Sequence, residues 1–76
     1  MPRKKSRANQ ALGQAIRSIR IDQGLTQEAF ALKAGIDRSY YGAIERGEFN
    51  VTMDTLVKIS RTLAVRVSEI TERAGL

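Results

Sequence analysis

The sequence predicts an all-α domain of five short helices, on three observations. Apolar residues recur at helical spacing, as when Leu12, Ile16 and Ile19 fall at positions i, i+4 and i+7. Glycines or capping residues separate the successive apolar groups. The chain has 76 residues, enough for one domain at most, and a domain of that size buries only roughly 60% of the surface of its unfolded chain. We therefore expect modest stability, which an oligomer would increase.

The first two helices are delimited by glycines. Helix one is predicted from about Ala8 to Gln23 and ends at Gly24. Thr26 has a side chain suited to N-cap helix two, and Gly35 ends that helix after barely two turns.

The last three helices begin at polar residues that favour N-cap positions. Asp37 is predicted to cap helix three, which ends at Gly47. Helix four opens at Thr52, and Ser68 is predicted to cap helix five, which ends at Gly75.

The junction between helices two and three is the most informative local pattern. Gly35 supplies a left-handed turn, Ile36 can insert into the core, and Asp37 starts the next short helix. This spacing is that of a helix-turn-helix, although any helical hairpin also needs a glycine at its corner.

Composition excludes several classes of function. The chain has no Cys and no His, so we expect no metal, no cofactor and no disulfide, which fits a reducing cytoplasm. No apolar run is long enough to span a membrane. No candidate nucleophile has a base beside it, and with two Phe, two Tyr and no separate sensing domain we expect neither catalysis nor a small-molecule ligand.

Positive charge is concentrated at the N-terminus. The chain has 13 basic and 8 acidic residues, a net charge of +5, and Arg3, Lys4, Lys5 and Arg7 supply four of the basic residues. We predict that residues 1–7 form a flexible basic arm ahead of a domain at 8–76. The arm either is simply solvated or contacts nucleic-acid phosphates.

Helix three has two different faces on a helical wheel. One side carries Ile44, Tyr40 and Tyr41, and the other carries Arg38, Ser39, Gly42, Ala43 and Arg46. A glycine inside a helix costs about 1 kcal/mol relative to alanine, so Gly42 needs a reason. Small side chains let the helix backbone approach the major groove of DNA, where Arg38 can bind guanine O6 and N7. The alternative is that Gly42 only relieves crowding inside the bundle.

Three motifs carry a resemblance to a known family over residues 12–70. They are "LGQAIRSIRIDQGLTQEAFALKAGI", "DRSYYGAIERG" and "VTMDTLVKISRTLAV". The chain resembles the helix-turn-helix regulators of the Cro and phage-repressor type, the Xre family. Within that family, "GIDRSYYGAIERGEFNVT" is most similar to the controller proteins of restriction-modification systems, which are small dimeric autoregulators. The resemblance implies a lambda-repressor-like fold and a sequence-specific regulator of transcription that binds double-stranded DNA.

The resemblance also implies roles for single residues. Gln27 matches a position that holds a phosphate or braces a base contact, and Tyr40 one that reaches the DNA backbone. The full expected set of DNA-binding residues is Thr26, Gln27, Arg38, Ser39, Tyr40, Ala43, Arg46 and Asn50. Because Ala43 stands where many members have a long polar side chain, direct readout is expected to depend on Arg38, with DNA shape contributing the rest. Arg20 and Glu45 match a structural ion pair, unless both side chains simply reach solvent.

The C-terminal third predicts a homodimer. It has more apolar residues than a three-helix core needs, and Leu56 and Ile59 are expected to cover that core. The expected dimer interface consists of Leu63, Val65, Val67 and Ile70, and would place two recognition helices about 34 Å apart on a near-palindromic operator. The competing interpretation is that all the apolar residues of this segment fill one monomeric core. A second functional class also stays open: a DNA-binding antitoxin or protein-interaction module that acts mainly through a partner protein.

Overall fold

The computed structural model describes residues 6–76, and this part of the chain forms five α-helices. They are α1 (Arg7–Asp22), α2 (Gln27–Ala34), α3 (Arg38–Glu45), α4 (Met53–Leu63) and α5 (Val67–Arg73). The described residues contain no strand, so the all-α prediction is confirmed.

Four of the helices begin at a hydroxyl or carboxylate side chain that caps them. Ser6, Thr26, Asp37 and Thr52 each accept a hydrogen bond from the backbone N–H three residues further on, at 3.0 to 3.1 Å. Each bond satisfies one of the N–H groups that lack a partner within the helix. The three predicted caps in this group, from Thr26 onwards, are therefore confirmed.

Helix α5 begins differently from the prediction. Its N-cap is Arg66, and Ser68 lies inside the helix, so the prediction that Ser68 caps it is wrong. The Glu69 carboxylate accepts a hydrogen bond from the Arg66 N–H at 3.0 Å. This bond from the third helical residue back to the cap starts the helix before Ser68.

The predicted arm meets the domain at the start of α1. Arg7 is already the first residue of α1, and Ser6 caps that helix. The rest of the predicted arm, residues 1–5, lies outside the described residues.

A single core joins all five helices. Phe30 of α2 and Tyr41 of α3 lie at its centre, fully buried, with ring centroids 4.8 Å apart. Large aliphatic residues surround them: Ile16, Ile19, Ile44, Leu56, Ile59, Leu63 and Ile70. Burying a side chain of this size stabilises the fold by about 1.5 to 3 kcal/mol relative to leaving it exposed.

The C-terminal apolar residues mostly complete this core. Leu63 and Ile70 are both 0% exposed, so the prediction that they form a dimer interface is wrong. Val65 and Val67 are half-buried and also pack against the core. The reason is that α5 contacts both α1 and α4, which turns Ile70 inward under α1.

Helix α1 lies unusually close to the C-terminal end of α3. A Cβ atom at Gly13 would stand 2.5 Å from the Glu45 carbonyl oxygen, a distance at which something must move. Glycine at this position therefore allows the two helices to touch through their backbones. This contact helps to fix the orientation of α3 relative to α1.

Candidate nucleic-acid interface

Helices α2 and α3 form the predicted helix-turn-helix. Gly35 adopts a left-handed conformation with φ of 69°, and the Ile36 N–H donates to the Ala31 carbonyl at 2.9 Å. Ile36 is half-buried against the core, as predicted, and Asp37 then caps α3. The turn therefore sets α3 across α2 with its first residues at the surface.

The first turn of α3 is open to solvent. Arg38 and Ser39 are both exposed, and Arg38 makes no hydrogen bond or ion pair within residues 6–76. Tyr40 is half-buried, and its ring lies 5.8 Å from the ring of Phe49. Two donors, Arg38 and Ser39, are thus presented at the exposed end of the helix.

The middle of α3 departs from the predicted outward face. Ala43 is 4% exposed and Gly42 is also buried, so the prediction that both face outward is wrong. The Glu48 N–H donates to the Ala43 carbonyl at 3.0 Å, and this bond brings the following loop back over the end of the helix. At Gly42, a Cβ atom would lie 3.1 Å from Arg46 Nη1 and 3.5 Å from Gln27 Oε1. Those two side chains cross the helix at the place where a larger residue would stand.

The predicted ion pair between Arg20 and Glu45 is present and buried. Arg20 Nε donates to Glu45 Oε2 at 2.7 Å, and Arg20 Nη2 donates to Glu45 Oε1 at 3.0 Å. The two side chains are 8% and 1% exposed, which rules out the alternative that they reach solvent. Because Arg20 belongs to α1 and Glu45 to α3, this two-point contact limits rotation of α3 about its own axis.

Glu45 binds two further side chains that the sequence motifs do not connect with it. The Tyr41 hydroxyl donates to Glu45 Oε2, and Gln27 Nε2 donates to Glu45 Oε1 at 2.8 Å. One carboxylate therefore joins α1, α2 and α3. Tyr41 lies four residues before Glu45 on the same helix, whereas Gln27 and Arg20 lie 18 and 25 residues away, so local spacing could indicate only the contact with Tyr41.

This environment keeps the Glu45 carboxylate ionised. Burial favours its neutral form, but hydrogen bonds from Arg20, Tyr41 and Gln27 outweigh burial, and the pKa of Glu45 lies below its ordinary value. The hydrogen bond to Glu45 raises the pKa of Arg20. Burial, together with the bond to Glu45, raises the pKa of Tyr41. The cluster is therefore a buried ion pair with two neutral donors around it.

Two of the predicted DNA-binding residues have partners at or just after the end of α3. Arg46 is exposed, and its Nε donates to the buried Glu48 carboxylate at 2.8 Å, which raises the pKa of Arg46. Asn50 is exposed in the following loop, and its Oδ1 accepts from Asn9 Nδ2 of α1 at 2.8 Å. Arg46 and Gln27 lie close together over Gly42, in the C-terminal half of α3 rather than at its exposed first turn.

The protein-family comparison matches this part of the fold. The family model described as helix-turn-helix matches residues 16–70, which contain α2, the turn, α3 and α4. The chain belongs to the helix-turn-helix family.

The relatives of this helix-turn-helix protein include restriction-modification controllers. The control protein C.SmaI of Serratia marcescens is 38% identical over 65 residues, which cover 86% of this chain and 77% of the relative. The crystal structure of the controller C.AhdI from Aeromonas hydrophila is 38% identical with a TM-score of 0.78, covering 80% of this chain and 92% of that one. The C.Esp1396I tetramer, solved in complex with its natural 35-base-pair operator, is 33% identical with a TM-score of 0.82 over 91% of both chains. These similarities confirm the resemblance inferred from the motifs.

Neither a membrane helix nor a metal-ligand cluster is found in the described residues. No helix within 6–76 is both long and apolar enough to cross a bilayer. The same residues contain no group of three or more acidic, His or Cys side chains arranged to hold a metal ion.

Proposed function

We propose that this helix-turn-helix protein is a sequence-specific regulator of transcription, a controller-like protein that binds double-stranded operator DNA as a homodimer. The observation that carries this proposal is the construction of α3. Its first turn exposes Arg38 and Ser39. Its last residue, Glu45, accepts hydrogen bonds from Arg20 of α1 and Gln27 of α2. An exposed donor on a helix of fixed orientation is what reading a base edge requires.

Base readout is assigned chiefly to Arg38. A guanidinium can donate two parallel hydrogen bonds to guanine O6 and N7 in the major groove, and Arg38 has no competing partner among the described residues. Ser39 can donate to or accept from any base. Because Ala43 is buried, direct base contacts are assigned only to Arg38 and Ser39. The rest of the sequence preference is assigned to DNA shape and deformability.

Phosphate contacts are assigned to Thr26, Gln27, Tyr40, Arg46 and Asn50. Thr26 and Gln27 lie at the N-terminal end of α2, where backbone N–H groups and the helix dipole favour an anion. Tyr40 lies in the first half of α3, Arg46 follows its last residue, and Asn50 lies in the loop beyond it. Such contacts set the register of the protein on DNA without reading sequence.

The homodimer is supported by the operator-bound tetramer of C.Esp1396I and by the size of this chain. The described residues extend 28 × 25 × 20 Å, so two copies side by side can hold their α3 helices about 34 Å apart, one turn of DNA. Val65 and Val67, each half-buried, are the members of the predicted interface that retain surface for a partner. A two-fold axis through this region implies a near-palindromic site.

The proposed function requires neither catalysis nor a cofactor. The helix-turn-helix relatives are control proteins and regulators, and we assign this chain the same non-enzymatic role. Because the sequence has no Cys, which fits a reducing compartment, and the proposed target is operator DNA, we place the protein in the cytoplasm.

A gel-shift assay on the DNA upstream of the protein's own gene tests this function. We expect a complex that resists excess unrelated duplex and disappears with excess unlabelled upstream duplex. Sedimentation equilibrium over micromolar concentrations should give a dimer, twice 8.4 kDa. Binding that unrelated DNA displaces as easily as the upstream duplex would contradict sequence specificity and favour a protein that acts through a partner.

A further inference from the structure

A polar pocket of about 310 Å³ lies between α1 and the adjacent ends of α2 and α3. It is lined by Gln10, Gln14, Arg17, Gln27, Glu45 and Arg46. Gln27 and Arg46 also belong to the proposed DNA interface, so the pocket borders that surface. All its lining side chains are charged or carry an amide.

One wall of the pocket is a stripe of α1. Gln10, Gln14 and Arg17 follow at intervals of four and three residues, which places their side chains on one face of the helix. All three are exposed. This face of α1 is polar even though it lies beside the packed end of α3.

The charge of the pocket is carried by Arg17. The Glu45 carboxylate is neutralised by Arg20, and Arg46 is paired with Glu48. Arg17 makes no ion pair or hydrogen bond within residues 6–76. The pocket and its paired neighbours therefore hold one uncompensated positive charge, the charge of Arg17, and attract an anion.

We propose that this pocket binds a phosphate group of the DNA backbone and that Arg17 is a phosphate-contacting residue, an assignment that rests on the proposed function. The guanidinium of Arg17 offers donors from the α1 side. Gln27 uses one N–H of its amide on Glu45 and has a second N–H to offer from the α2 side. A phosphate held between them would attach α1 to the strand that α3 enters.

The test compares Arg17→Gln with wild type on two duplexes, one of random sequence and one selected for tight binding. Between 50 and 200 mM salt, each phosphate that the variant no longer neutralises should make the slope of log K against log salt shallower by about 0.9. The advantage of wild type over the variant should therefore fall about threefold to fourfold across this range, equally on both duplexes.

Two matched variants separate a specific contact from a general reduction of charge. Arg17→Lys keeps the charge in the pocket and should retain most of the wild-type slope. Lys33→Gln removes one positive charge from an exposed position of α2 outside the pocket and should leave the slope unchanged.

Three results would overturn the inference: a wild-type slope in Arg17→Gln, an equally shallow slope in Lys33→Gln, or weaker binding confined to the selected duplex. The first would exclude a phosphate at Arg17, the second would reduce the effect to net charge, and the third would make Arg17 a base reader. Failure of the proposed function is a different result, in which wild type itself binds both duplexes equally.

Discussion

Replacing Glu45 with Gln tests the buried cluster that holds α3. The variant keeps the size of the side chain but removes its charge, leaving the Arg20 guanidinium buried without a counterion at 7% exposure. Removing one partner of a buried ion pair costs about 3 to 5 kcal/mol. We expect the lower part of that range, because an amide oxygen can still accept a hydrogen bond from Arg20 or Gln27.

This destabilisation is large for so small a domain. Folded domains are stable by about 0.05 to 0.15 kcal/mol per residue, which for this chain is about 4 to 11 kcal/mol in total. Urea unfolding followed by circular dichroism should therefore show a much lower midpoint, with an unchanged slope m if the unfolded state is unaffected.

The exposed ion pair between Asp22 and Arg73 provides the control. Its atoms lie 3.0 Å apart, but the side chains are 65% and 47% exposed, so Asp22→Asn should cost no more than about 1 kcal/mol. A destabilisation below about 1 kcal/mol in Glu45→Gln, similar to that in Asp22→Asn, would refute the account of the cluster.

The same cluster predicts a pH dependence. Because the folded pKa of Glu45 is lowered, its contribution to stability is complete above the ordinary glutamate pKa of about 4.3 and is lost as pH falls through the folded pKa. Unfolding free energy measured between pH 6 and 3 should therefore fall more steeply in wild type than in Glu45→Gln. Parallel curves would contradict the lowered pKa.

Three other predictions concern DNA binding and assembly. Arg38→Ala should weaken binding to the preferred site by about 1 to 3 kcal/mol and relax specificity at one base pair, and equal weakening on all sequences would make Arg38 a phosphate-binding residue. Deleting residues 1–5, which leaves the Ser6 cap in place, should make the salt slope shallower by about 0.9 for each phosphate that the arm neutralises, and an unchanged slope would mean that the arm is only solvated. Val67→Asp should weaken the dimer in sedimentation equilibrium while retaining helical circular dichroism, and a strict monomer in wild type would refute the interface.

Local signals predicted most of the fold. Thr26, Asp37 and Thr52 cap their helices as expected because the bond from a short polar side chain to a nearby N–H needs only local geometry. The prediction that Ser68 caps α5 was wrong because the Glu69 carboxylate accepts a hydrogen bond from the Arg66 N–H. This bond makes Arg66 the N-cap, two residues before Ser68.

Burial within the tertiary structure was harder to predict. A helical wheel places Ala43 opposite Tyr41 and Ile44, but it does not include the loop that returns over the end of α3. Leu63 and Ile70 are apolar whether they face a partner or the core, and only the packing of α5 against α1 decides between these outcomes. Both errors concern which surface remains open after the helices pack.

The candidate site was predicted in part through resemblance. Residue pattern alone suggested Arg38, while the pairing of Arg20 with Glu45 came from the family motifs. The bond from Gln27 to Glu45, and the position of Arg17 across the pocket from Gln27, depend on how three helices meet. These relations have no counterpart in local sequence spacing.

Selection of bound duplexes from a random DNA pool, carried out in parallel for wild type and Arg38→Ala, tests whether α3 reads DNA through Arg38. Wild type should enrich a near-palindromic site with a guanine at the same position of each half-site, and half-site centres one turn of DNA apart. Arg38→Ala should lose the preference at that guanine and keep the rest of the site. A pool in which wild type enriches no sequence, or in which both proteins enrich the same site with the guanine retained, would contradict the claim that α3 reads DNA through Arg38.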